Sequence, residues 1–161
     1  MSELRIGVGV DAHAFEEGVP LVLGGVAIES ARGLGGHSDG DVIAHALIDA
    51  LLGAAGLGDI GALFPSGEAE WEGASSLRLL ADAEARVRKA GWELVNADCV
   101  LIGEEPRIAP LRDTMRARLA EAVGIEAERV NVRATTTDRL GFTGRGEGLA
   151  AHAVALVRRV G

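Results

Sequence analysis

The chain has 161 residues, 48% of them apolar and 25% charged, which suits one soluble domain spanning 1–161 with room for a substantial core. A net charge of −8 with no basic tract excludes nucleic acid as the main partner, but not a small phosphorylated ligand held by metals or loop amides. The longest apolar stretches are too short to cross a membrane and no charged-then-apolar leader opens the chain. The one cysteine, Cys99, precludes an internal disulfide, so the expected location is the cytoplasm.

In chain order, residues 4–13 read as a strand, and "LVLGGVAI" places two apolar runs around Gly24-Gly25, a hairpin signal. "GGHSDGD" is a loop in which Asp39 or Asp41 caps the next element. Residues 41–55 predict a helix, because Ile43, Leu47, Ala50, Leu51 and Ala54 recur at helical spacing. "GLGDIGALFPSGEAEWEG" then reads as a long loop with five glycines. Ser75 or Ser76 opens a second helix that runs to about Ala90 and ends at Gly91. "WELVNADCVLIG" is a strand, "PLRDTMRARLAEAVG" a third helix and "RVNVRATT" a further strand. From Leu149 the spacing fits either a helix or a strand, with a slight helical lean. The expected class is α+β in two layers, a mixed sheet backed by helices.

Asp11 and His13 stand two apart in the first strand, so their side chains share a face. Asp41, His45 and Asp49 stack along one side of the first helix. They can form a solvated edge. Alternatively His45 joins Asp11 and His13, and Asp49 orients an imidazole. Two His and one Asp leave a tetrahedral metal one open position, as in catalytic zinc sites, although the same set suits non-haem iron. "HSDGD", 37–41, is either a turn or an anion site ahead of a helix N-terminus. "ATTTDRLGFTGRGEG", 134–148, is either a long hairpin connection or a diphosphate site, with Asp138 available to a hard cation. His152 and Cys99 read as structural.

Together, "RIGVGVDAHAF", "HSDGDVIAHALIDALLGAAGLGDIGALFP" and "ATTTDRLGFTGRGEG" closely resemble the 2-C-methyl-D-erythritol 2,4-cyclodiphosphate synthases of non-mevalonate isoprenoid biosynthesis. The likeness runs from Arg5 to about Val157. It implies a homotrimer with sheets packed around the threefold axis, active sites between subunits, and a strand from Leu149. It further implies that Asp11, His13 and His45 bind one zinc ion per active site. His37, Thr136 and Asp49 are then the expected catalytic residues, with Ser38 on substrate phosphate and Asp49 steadying a ligand histidine.

Asp59, Ile60, Gly61 and Phe64, followed by Ser66 or Glu68, match the methylerythritol subsite. Gly103, Pro106, Arg107, Ile108 and Ala109 match the cytosine pocket. Ala134, Thr135 and Thr136 match the nucleotide-phosphate contacts, and Asp138 the carboxylate on Mg²⁺ or Mn²⁺. Phe142 and Arg145 match positions near the threefold axis, where the family's trimer encloses a small apolar cavity, with an isoprenoid diphosphate as its candidate occupant.

Three positions depart from the family pattern: Asp138 where Glu is usual, Ser66 where Asp is common, and Arg107 for Lys. The implied reaction is attack of a 2-phosphate on the β-phosphorus of a cytidine diphosphate, releasing CMP, with residues 63–71 closing over the sugar. A nucleotide-diphosphate phosphoesterase using the same ligands, and a trimeric binding module with a structural metal, are the competing readings.

Overall fold

The computed structural model describes residues 2–36, 38–65, 68–71 and 73–161. The expected roles of His37 and Ser66 therefore lie outside the described residues, as does part of the expected closing segment at 63–71. Strand β1 (Leu4–Glu17) leads to a small hairpin of β2 (Leu21–Leu23) and β3 (Val26–Ile28). Gly24 and Gly25 both adopt positive φ at its turn, as a two-residue connection requires. Then come β4 (Arg32–Leu34), α1 (Val42–Ala55), the single turn α2 (Ile60–Leu63), α3 (Ser76–Lys89) and β5 (Trp92–Ile102). The chain closes with α4 (Arg112–Val123), β6 (Val130–Thr135), the single turn α5 (Gly141–Gly144) and β7 (Gly148–Arg159).

The main sheet has the order β4-β1-β7-β5-β6. Only β5 and β6 run parallel, joined by a crossover through α4, so the sheet is mixed. β5 separates β6 from β7, which rules out the hairpin reading of residues 134–148. The tail from Leu149 is a strand, against the slight helical lean of its spacing. The expected loop at 56–73 contains α2 and a 3₁₀ turn at Ala69–Trp71.

Helix α1 lies on β1 and β7, α3 packs on α1 and α4, and α4 covers β6. Twelve of the fourteen residues of α1 are buried, which makes it the centre of the core rather than a surface helix. Asp41 is its N-cap, and its buried carboxylate accepts N–H bonds from Ala44 (3.1 Å), Gly24 (2.9 Å) and Gly25 (2.7 Å). One side chain thus ties the helix start to the hairpin turn. Burial pushes Asp41 up to about 6, against the opposing pull of those three N–H donors. The sheet face away from the helices leaves Leu4, Ile6, Val8 and Val10 of β1 exposed, with Val154 of β7 beside them.

Candidate metal centre and nucleotide cleft

β1 alternates, so Gly7, Gly9, Asp11 and His13 face the helices, while Ile6, Val8 and Val10 face away. The two glycines let α1 lie close on the strand, and His45 on α1 thereby meets Asp11 and His13. Asp11 Oδ2 lies 2.8 Å from His13 Nε2 and 3.1 Å from His45 Nδ1, and the two nitrogens are 3.3 Å apart. Among the described residues this is the one cluster of three or more such ligand atoms able to hold a metal.

The donors fit a divalent cation. Zinc bonds of about 2.0–2.2 Å in a tetrahedron set ligand atoms roughly 3.3 Å apart, a few tenths beyond the spacing seen between Asp11 and each imidazole. Burial would raise Asp11, but hydrogen bonds and charge attraction from His13 and His45 outweigh it and hold the carboxyl down to about 2. The Asp11 hydrogen bond in turn raises His13 above its ordinary value. These are proton-bound counterparts of what a cation would do at the same point.

Behind His45, Nε2 lies 2.8 Å from Ser76 Oγ and 3.0 Å from Ser38 Oγ. Ser76 Oγ donates to Asp39 Oδ1, and Ser76 N–H donates to Asp39 Oδ2 at 3.0 Å. Asp49 does not take the expected part among these contacts: its Oδ1 accepts the Ile60 N–H at 2.8 Å. Asp59 caps the same turn, accepting the Ala62 N–H at 2.9 Å. The two carboxylates so fix α2, which carries Ile60 and Gly61. Phe64 is buried in the core beneath it, under the Arg86 guanidinium, and Glu68 is exposed.

A separate cleft of about 410 Å³ brings together Gly103, Pro106, Arg107, Ile108 and Ala109 with Ala134, Thr135 and Thr136, all expected nucleotide contacts. It also takes in Glu104 and Arg112, charged residues with no motif of their own to single them out in the sequence. Thr136 Oγ1 accepts the Asp138 N–H at 3.3 Å, and Asp138 is exposed with φ of 52°. Arg139, also at positive φ, donates its N–H to Glu104 Oε1 at 3.0 Å, pinning this loop to the cleft wall. Phe142 is exposed, and Arg145 pairs with Glu147. In the sheet, β1 with the metal cluster and β6 with the threonines are three strand spacings apart, roughly 14 Å.

Comparison with known proteins gives a consistent result. The family model described as the YgbB family matches residues 4–158. A 2-C-methyl-D-erythritol 2,4-cyclodiphosphate synthase of Rubrobacter xylanophilus is 58% identical over 162 residues, covering 99% of this chain and 98% of that protein. The bifunctional IspDF of Campylobacter jejuni superposes with a TM-score of 0.95 at 43% identity, over 99% of this chain and 43% of that longer one. A 2C-methyl-D-erythritol-2,4-cyclodiphosphate synthase solved in a CDP-bound form gives a TM-score of 0.87 at 39% identity, over 95% of this chain and 99% of that one.

Proposed function

The chain belongs to the YgbB family, and on that footing we propose that it converts 4-diphosphocytidyl-2-C-methyl-D-erythritol 2-phosphate to 2-C-methyl-D-erythritol 2,4-cyclodiphosphate and CMP. The step belongs to non-mevalonate isoprenoid biosynthesis and is a phosphorus–oxygen lyase reaction. One observation carries the proposal: the oxygen of Asp11 and the nitrogens of His13 and His45 converge within 3.3 Å, in a chain 58% identical to a named synthase.

In the reaction, a 2-phosphate oxygen forms a bond to the β-phosphorus, and the bond from that phosphorus to the CMP phosphate breaks. The attacking oxygen is already anionic near neutral pH, so no base has to remove a proton. The demands are charge neutralisation and alignment, and alignment alone contributes several kcal/mol. Asp11, His13 and His45 would hold zinc and Asp138 would hold Mg²⁺ or Mn²⁺; when bound, these ions polarise the β-phosphate and offset repulsion between the phosphates.

The chain's own groups supply the alignment. Backbone groups of Pro106–Ala109 read the cytosine, and Thr135 and Thr136 direct hydroxyls to the nucleotide phosphates. Asp59 and Gly61 hold the methylerythritol hydroxyls on the turn that Asp49 braces. His37 and Ser38 take the substrate phosphate. A relative solved with CDP supports the nucleotide half of this assignment.

The assembly we propose is a homotrimer. Leu4, Ile6, Val8 and Val10 form an apolar stripe with no cover from their own chain, and the metal cluster and the nucleotide cleft sit on strands well separated in the sheet. Both features suit a site completed by a neighbour. Phe142 and Arg145 would then approach the axial cavity and lend it the apolar and cationic character that an isoprenoid diphosphate requires. No helix among the described residues is long and apolar enough to cross a membrane, in keeping with a cytoplasmic enzyme.

Incubation with the cytidyl substrate, zinc and magnesium, followed by phosphorus NMR, tests the function. The expected result is a cyclic diphosphate plus CMP; open-chain hydrolysis products, or no turnover, would overturn it.

A further inference from the structure

We propose that Ser76 and Asp39 form a positioning relay behind His45 that fixes the imidazole in its metal-binding tautomer. The inference rests on the reading of Asp11, His13 and His45 as a metal centre.

Ser76 is fully buried at the first position of α3, and its hydroxyl makes two close contacts, with Ser38 Oγ farther off at 3.4 Å. One is Asp39 Oδ1 and the other, at 2.8 Å, is His45 Nε2. An ionised carboxylate only accepts, so the Ser76 hydroxyl proton goes to Asp39. The serine oxygen is then left as an acceptor, and His45 must present Nε2–H to it. His45 Nδ1, the atom that faces Asp11 and His13, can then give up the proton it shares with Asp11 to a cation bound there, while Nε2–H stays on Ser76. The direction of the whole chain of bonds is set by the charge on Asp39, which lies outside the metal cluster.

Asp39 is itself held by three donors. Its Oδ2 accepts the Ser76 N–H at 3.0 Å, while Oδ1 accepts the Asp41 N–H at 3.1 Å and the Ser76 hydroxyl. Because Ser76 donates to both oxygens, an asparagine at 39 would set its amide group against one of those donors. Ser38 Oγ, at 3.0 Å from the same imidazole nitrogen, can donate or accept, and with no carboxylate behind it in these contacts it does not set the direction of the bonds. Partners of this kind typically change metal affinity by about 10–100-fold when removed.

The test is a competitive zinc titration of the chelator-stripped protein, with apo thermal unfolding and nitrogen NMR of labelled histidine in parallel. The relay predicts that Ser76→Ala loses roughly 10–100-fold in zinc affinity. In the zinc-free protein Asp11 and Ser76 compete for the His45 proton, so Ser76→Ala should shift the tautomer balance from Nε2–H toward Nδ1–H. A purely structural role would not move the tautomer. Ser76→Ala keeps the backbone bond to Asp39, so apo folding should survive; if it does not, Asp39→Asn provides the same readings. Zinc affinity within about threefold of wild type in a folded variant, with the tautomer unchanged, overturns the relay. If wild type fails to bind zinc, or His45→Ala binds it as tightly, the metal-centre reading itself fails instead.

Discussion

Gly9 lies directly against Ala46: a Cβ placed on Gly9 would sit 1.9 Å from the Ala46 carbonyl oxygen, and Gly7 repeats the relationship with Ala50 at 2.0 Å. The obstructing atoms are helix backbone, which cannot swing aside as a side chain does. This contact sets the gap between the strand that carries Asp11 and His13 and the helix that carries His45. Gly9→Ala is therefore expected to cost about 3 kcal/mol, the upper end for overpacking, and to weaken zinc binding as α1 is pushed off β1. Denaturant unfolding and zinc titration check this; a loss below about 0.5 kcal/mol would show that the helix yields freely.

The metal cluster should also give stability a defined pH dependence in the zinc-free protein. Asp11, lowered from 3.8 to about 2, adds stability that is present above 3.8 and disappears as pH falls toward 2. His13, raised above 6.5 by Asp11, adds stability that is complete below 6.5 and is lost as pH rises through its folded-state value. Zinc must displace the His13 proton, so its affinity should climb with pH over the same upper window. Unfolding in chelator across pH, beside zinc titrations with proton-release measurements, reads both limbs. Zinc affinity that stays flat as pH rises from 6.5 would contradict the assignment.

The parts of this molecule that are legible from sequence are those where periodicity and burial agree. β1 alternates cleanly because one face meets α1 and the other is bare. α1 is readable from its apolar spacing and from Asp41, which does cap it. β7 is ambiguous because it is a central strand buried on both faces in its first half, where alternation is lost. β4 gives no signal: it is three residues long, and its Gly33 lies where a Cβ would meet the Pro20 carbonyl at 2.1 Å, so there is no side-chain pattern to read. Asp11, His13 and His45 stand out through spacing within two elements. Ser76 does not, because it comes 31 residues after His45 and has the ordinary look of a helix opener. Asp39, two residues ahead of a better cap, shows its bond to Ser76 only once α3 is folded against the loop.

Asp138 offers a test of the second cation. Its φ of 52° is a conformation that Asp and Asn tolerate better than most residues. Asp138→Asn should thus keep the loop and its Thr136 contact while removing the charge. The expected outcome is a weakened Mg²⁺ dependence, with the apparent Mg²⁺ requirement raised about tenfold, roughly the 1.4 kcal/mol that a tenfold change represents. Thermal unfolding and zinc affinity should hold at wild-type values. An unaltered Mg²⁺ titration of turnover would remove Asp138 from the cation's coordination.

Ile6 is 74% exposed and Val10 63%, on the face of β1 opposite Gly7 and Gly9. Covering each such side chain in an assembly is worth roughly 1.5–3 kcal/mol, so the stripe is a strong drive toward association. Ile6→Glu would instead bring a carboxylate from every subunit into that apolar seam. Sedimentation should then show wild type at three times the 16.6 kDa chain mass and the variant as single chains. Zinc binding needs only β1 and α1 of one protomer, so the dissociated variant should still bind it. If, as proposed, the active site is completed by the nucleotide cleft of a neighbour, turnover should be lost. A variant that is monomeric yet fully active would place metal and nucleotide sites within one chain, and an unaltered trimer would put the interface on another face.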